Sequence, residues 1–165
     1  QDASSQKVAQ ILNPQPGERI IDACAGAGGK SLHIATMMEN KGQLIAMDIY
    51  ENKLNELKRR ARRNDIFNIE TRVIDSTKVI KKLIEKADKA LIDAPCSGLG
   101  VLRRNPDGQL VYATCSILPS ENEKQVKAFL NREEGKDFTL LNEERILPSK
   151  SGFDGFYISL LQKKE

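Results

Sequence analysis

The sequence has no tryptophan, a single histidine and only 5% aromatic residues. So few rings leave little material for the broad stacking platforms of single-strand nucleic-acid binders. Cysteine is scarce too: Cys24, Cys96 and Cys115 are odd in number and too few for a disulfide framework. With one histidine and no ligand spacing among those thiols, no metal site is expected. Reduced thiols of a cytoplasmic-type protein are the expected state, which leaves reactivity as a reason for a cysteine to be present. No apolar run approaches the ~20 residues needed to cross a bilayer, so no membrane span is expected. The opening QDASSQKVAQ lacks the charged-then-apolar pattern of a secretory signal. Neither sign of charge dominates: 26 Lys and Arg against 23 Asp and Glu leave +3, too mild to name a partner. Nothing in the sequence sets an oligomeric state.

What is present fits one globular domain over residues 1–165, since 39% hydrophobic and 30% charged residues match a soluble fold with a full core. No repeat, low-complexity tract or linker divides it. A leading helix occupies part of 1–14, with Val8, Ile11 and Leu12 at helical spacing and Pro14 as its stop. Strands are expected at 19–24, 44–48, 69–75, 90–93 and 109–114. Helices are expected at 30–38, 51–64, 78–85 and 120–130. The second of these is strongly amphipathic, with Leu54, Leu57 and Ala61 on one stripe. Two further strands, 138–142 and 155–161, suit a hairpin at a sheet edge. Alternation of strand and helix is the sign of a doubly wound α/β domain with a mostly parallel sheet.

One interval breaks the rhythm. Between Asp93 and Gln109, Pro95, Gly98, Gly100, Pro106 and Gly108 discourage any helix. A parallel crossover usually contains one. Residues are therefore expected to be missing between Asp107 and Gly108.

The loop after the first strand, Asp22-Ala-Cys-Ala-Gly-Ala-Gly-Gly-Lys-Ser31, cradles a nucleotide on three possible readings. A phosphate-binding P-loop needs glycine where Cys24 stands. The dinucleotide fingerprint needs glycine at position 31, which is Ser, although Asp48 lies where a ribose ligand should. An S-adenosylmethionine loop also uses glycines after strand one and an acidic residue ending strand two. The bland alternative is a tight turn.

Two cysteine loops follow the fourth and fifth strands, Asp93-Ala-Pro-Cys-Ser-Gly-Leu-Gly100 and Ala113-Thr-Cys-Ser116. Adjacent strands would bring Cys96 and Cys115 to the same edge as the glycine loop. DACAGAGGKS, DAPCSGLG and YATCS, in that order, resemble the RNA cytosine-5 methyltransferases of the Sun/Nop2 (NSUN) family. The QDASSQ opening and the RILP…GFDGFY tail match as well, so the likeness covers nearly the whole chain. RRNPD and ILPSENEKQV resemble the bacterial small-subunit ribosomal RNA enzymes in particular. Two departures stand out. Gly26-Ala27 replaces the usual Ala-Pro, and the family's helix between RRNPD and the fifth strand is absent. The auxiliary RNA-binding segments that often precede this domain are also absent, as in a catalytic fragment.

The resemblance implies a Rossmann-like class I S-adenosylmethionine-dependent methyltransferase fold, S-adenosyl-L-methionine as cofactor and RNA, ribosomal RNA above all, as partner. By the same resemblance Cys115 is the nucleophile that adds to carbon 6 of cytosine, and Cys96 assists when the carbon 5 proton leaves. Asp93 would meet the cytosine edge or the methionine end of the cofactor. Cys24, Ala25, Gly26, Ala27, Gly28, Gly29 and Lys30 would form the cofactor loop, with the Cys24 thiol structural. Asp48 would hold the ribose hydroxyls and Asp75 the adenine end, the alternative for each being a helix cap. Lys30 would face the cofactor carboxylate or Asp93, or lie in solvent. Arg103 and Arg104 are the expected RNA contacts. The basic run Lys58, Arg59, Arg60, Arg62 and Arg63 reads as a solvated helix face. Two rivals remain: an NAD-dependent oxidoreductase, which leaves both cysteine loops unexplained, and a non-catalytic RNA-binding or assembly protein on the same fold.

Overall fold

The computed structural model describes residues 3–74, 83, 87–93, 108–151 and 155–164. Five helices are described: α1 (Ala3–Leu12), α2 (Gly29–Met37), α3 (Glu51–Arg63), α4 (Glu123–Leu130) and the short α5 (Pro148–Ser151). The strands are β1 (Arg19–Asp22), β2 (Gln43–Asp48), β3 (Ile69–Val73), β4 (Lys89–Asp93), β5 (Gln109–Thr114), β6 (Phe138–Ile146) and β7 (Phe156–Lys163). They form one sheet in the order β3-β2-β1-β4-β5-β7-β6. The first five run parallel, and β7 is antiparallel to both β5 and β6. This is the mostly parallel sheet with an antiparallel end that the sequence pattern predicts.

The inner strands are apolar on both faces, so each successive residue enters a different core. Ile20, Leu44, Leu91 and Val111 pack with Val8 and Leu12 of α1 and Ile34 of α2. Their neighbours Ile21, Ile45, Ile92 and Tyr112 pack with Val126 and Phe129 of α4 on the opposite face. Leu54 and Leu57 of α3 close over Ala46 and Ala25. That two-sided burial explains why these strands read as continuous hydrophobic runs. The edge strand β6 instead carries Glu143, Glu144 and Arg145, charges that discourage pairing with another chain.

Most boundaries fall within a residue or two of the sequence reading, and three differences have a clear local cause. β6 continues to Ile146 rather than ending at 142, because an irregularity between Leu140 and Asn142 breaks the period of two on which the prediction rested. α4 starts at Glu123, three residues late, since Asn122 has non-helical φ −111° and ψ −107°. β1 ends at Asp22, after which the chain turns away: Ala23 N–H still bonds the Leu91 carbonyl, but Ala25 N–H crosses to that of Met47. The helix expected at 78–85 lies outside the described residues apart from Leu83, which is buried. The proposed break after Asp107 also falls there. Chain order reverses at β1, between β2 and β4, so the crevice beyond the carboxyl ends of β1 and β4 is where such sheets bind ligands.

Candidate active site

The glycine loop spans that crevice. Gly26 has φ +53° and Gly28 φ +88°, both in the left-handed region. At Gly28 a Cβ atom would lie 2.6 Å from Leu57 Cγ, so glycine is required there by both conformation and space. At Gly26 nothing lies within 4 Å of the Cβ direction, and the loop is open above it. Asp48 ties the loop to β2: its Oδ2 accepts from Gly26 N–H at 2.8 Å and its Oδ1 from Tyr50 N–H at 2.9 Å. The second bond organises the entry to α3, and each oxygen retains acceptor capacity. Arg60 completes the loop from the far side, its Nη1 donating to the Ala27 carbonyl at 3.0 Å.

Asp22 lies beneath the loop, 1% exposed. Ser31 Oγ donates to its Oδ2 at 2.7 Å and Cys24 N–H to its Oδ1 at 3.3 Å, linking the end of β1 to the first turn of α2. Burial pushes the Asp22 carboxyl up to about 6. The Ser31 bond opposes that shift, and the charge of Asp93 adds to it. The same surroundings disable Cys24, whose thiol is pushed up to about 12 by burial and by Asp22, Asp93 and Asp48.

Lys30, in the first turn of α2, reaches Asp93 at the end of β4. Their Nζ and Oδ2 atoms are 2.6 Å apart. The ammonium also sits 5.1 Å from the centroid of the Phe156 ring, an aromatic face that favours a cation. In register, Asp93 pairs with Ala113, so the loop after β5 begins beside Asp93. Cys115 lies on that loop and is exposed, whereas Cys24 is only partly so. The structure thus gathers Asp22, Cys24, Lys30, Asp48, Asp93 and Cys115 at one edge of the sheet, although helices and strands separate them in sequence.

Cys96, Asp75, Arg103 and Arg104 lie outside the described residues. Two participants were missed or misread in the sequence. In the sequence Arg60 reads as one of a solvated run, although its spacing on α3 places it one residue before the buried Ala61. Asn122 falls within the ILPSENEKQV stretch, but nothing in that stretch by itself assigns the side chain a role.

The sheet order, its antiparallel end and the loop at the end of β1 define the class: this is the fold of the S-adenosylmethionine-dependent methyltransferases. A SAM-dependent O-methyltransferase from Thermotoga maritima superposes with a TM-score of 0.69 over 98% of this chain and 64% of its own, at 14% identity, a likeness of fold alone. Sequence carries the assignment further. The family model for 16S rRNA methyltransferase RsmB/F matches residues 9–108 and 105–162, and the chain belongs to that family. A probable ribosomal RNA small subunit methyltransferase B from Synechocystis is 37% identical over 209 aligned positions, covering 99% of this chain and 47% of that protein. The human tRNA (cytosine(72)-C(5))-methyltransferase NSUN6 is 36% identical over 76% of the chain and 35% of its own length. The structure of NSun6 from Pyrococcus horikoshii with SFG superposes with a TM-score of 0.87 at 30% identity, covering all of this chain and 53% of that one. The chain spans about half the length of the first curated relatives it matches.

Proposed function

We propose that the chain is the catalytic part of an S-adenosylmethionine-dependent RNA cytosine-5 methyltransferase acting on ribosomal RNA. One observation carries the reading: an exposed cysteine, Cys115, follows the strand whose register partner ends at Asp93, and Asp93 meets Lys30 beside the glycine loop. The family to which the chain belongs supports it, as does the binding of SFG, an S-adenosylmethionine analogue, by a structural relative.

The residues present fit the cofactor. Asp48 retains acceptor capacity for a ribose diol, and beside it Ile49 and Tyr50 are 47% and 53% exposed, apolar surface suited to adenine. The open face of Gly26 allows close approach to the backbone. When bound, S-adenosylmethionine supplies an electrophilic methyl group.

The chain's own groups do the rest. The Cys115 thiolate forms a bond to carbon 6 of cytosine as the electron pair of the 5,6 double bond shifts into the ring, making carbon 5 nucleophilic. Asp93 stabilises a proton on ring nitrogen 3 as negative charge develops there. After carbon 5 has accepted the methyl group, its proton leaves to a base, the role proposed for Cys96. The returning electron pair restores the double bond and expels the Cys115 thiolate. Arg103 and Arg104 would hold the RNA backbone. The target base must leave its stack to reach the thiol.

Trapping with RNA containing 5-fluorocytosine tests the reading, because fluorine blocks the final proton loss. The intact chain with S-adenosylmethionine should accumulate a covalent complex, and Cys115→Ala should not. A Cys115→Ala variant that still traps would overturn the assignment.

We also propose that the whole protein carries further residues after Asp107. The two family matches meet at residues 105–108, and the Synechocystis alignment needs 209 positions for a chain of 165. A native mass well above 18.4 kDa with continuous sequence through this point is expected; an uninterrupted Asp107–Gly108 peptide from the native protein would refute it.

A further inference from the structure

Asn122 stands at the N-cap of α4, where an asparagine side chain ordinarily accepts a hydrogen bond from the first turn of its own helix. Here it makes no such bond. The amide is instead fully buried and turned to the loop that carries Cys115. Its Oδ1 accepts from Thr114 Oγ1 at 2.6 Å, and its Nδ2 donates to the Ser116 carbonyl at 2.9 Å. Ser116 N–H closes the ring on Thr114 Oγ1 at 3.2 Å. One side chain therefore bonds the residues on both sides of Cys115 and leaves Cys115 exposed between them. The support continues outward. Tyr112 OH bonds the Glu121 carbonyl at 2.6 Å, fixing the residue before Asn122 to β5. Ser116 Oγ accepts from Leu118 N–H at 3.1 Å, shaping the far side of the loop.

A helix start that gives up its own cap loses stability locally, and a buried amide that lost its partners would be costly. The compensating gain lies in the loop. Backbone groups around an attacking atom must be held closely, since a misplacement of about 1 Å can cost about 100-fold in rate. We propose that Asn122 and Thr114 are positioning residues that hold the backbone of Cys115 in its attacking geometry. The proposal rests on the reading of Cys115 as the nucleophile.

The test compares the intact chain with Asn122→Ala, Thr114→Val, Thr114→Ser and Cys115→Ala. The readouts are the single-turnover rate of covalent complex formation with 5-fluorocytosine RNA, the dissociation constant for S-adenosylmethionine, and thermal unfolding. Asn122→Ala and Thr114→Val should form the complex about 10- to 100-fold more slowly, with cofactor affinity kept within about twofold. Thr114→Ser, which keeps the hydroxyl, should recover most of the rate. Thr114→Val is nearly isosteric and guards against the larger change at Asn122 simply unfolding the chain. Wild-type rates in both variants would overturn the proposal. So would parallel losses of rate, cofactor affinity and melting temperature, or a Thr114→Ser variant as slow as Thr114→Val. If Cys115→Ala still forms the complex, or the wild-type chain forms none, the nucleophile assignment fails first and takes this proposal with it.

Discussion

Lys30 Nζ lies 2.6 Å from Asp93 Oδ2, joining the first turn of α2 to the end of β4. Both side chains are largely buried, at 13% and 25% exposure, so the pair is screened far less than a surface bridge. The Lys30 charge also lies near Asp22 and offsets part of the crowding between the two carboxylates.

Lys30→Met should therefore lower stability by about 1.5–3 kcal/mol, the range for hydrogen bonds to charged groups. Asp93→Asn, which removes the group proposed to stabilise charge at the reacting ring, should also reduce methylation by about 100-fold or more. Urea unfolding of Lys30→Met, Asp93→Asn and the double variant gives the check: the two single losses should not add.

The two described cysteines should differ sharply in reactivity. With its thiol pushed up to about 12, Cys24 stays protonated near pH 8, whereas Cys115 is exposed to reagent. Brief iodoacetamide treatment followed by peptide mass spectrometry should label Cys115 and leave Cys24 unmodified until the chain is unfolded. Cys24→Ser should retain methylation.

Asp22 makes stability depend on pH in a defined direction. Its carboxyl is raised from 3.8 to about 6 in the folded chain, so between those values the native state binds more protons than the unfolded one. The contribution is fully present below 3.8 and is lost as pH rises through 6, in total about 3 kcal/mol. Asp22→Asn cannot ionise. Relative to wild type it should gain about that much stability between pH 4 and pH 7.5, measured as the difference in urea midpoints. A pH-independent difference would refute the buried ionisation.

Gly28→Ala should destabilise by about 1–3 kcal/mol through two separable effects. The positive φ of +88° remains whatever the neighbours do, while the contact of the added Cβ with Leu57 Cγ can be relieved. In a double variant with Leu57→Ala, the combined loss should fall short of the sum of the single losses. Cofactor affinity should fall with Gly28→Ala, because the loop must move.

Much of the fold is determined by local sequence. Buried on both faces, β1, β2, β4 and β5 must be apolar runs. The amphipathic stripe of α3 and the positive φ of the glycine loop likewise demand residues that can be read one segment at a time. The order of the glycine and cysteine loops was legible for the same reason, and it pointed to the family before any geometry was known. Tertiary structure alone decided the relationships between segments. The pairing of Asp93 with Ala113 and the reach of Lys30 depend on sheet register and helix placement, which no single segment encodes. The raised carboxyl of Asp22 comes from burial, and the bonding of Asn122 to both neighbours of Cys115 comes from the packing of α4 against β5. Local propensity sets which elements form, because backbone sterics and hydrophobic period act over a few residues. Desolvation and hydrogen-bond partnership act across the fold, and for that reason the chemistry of the site emerges only when the chain is folded.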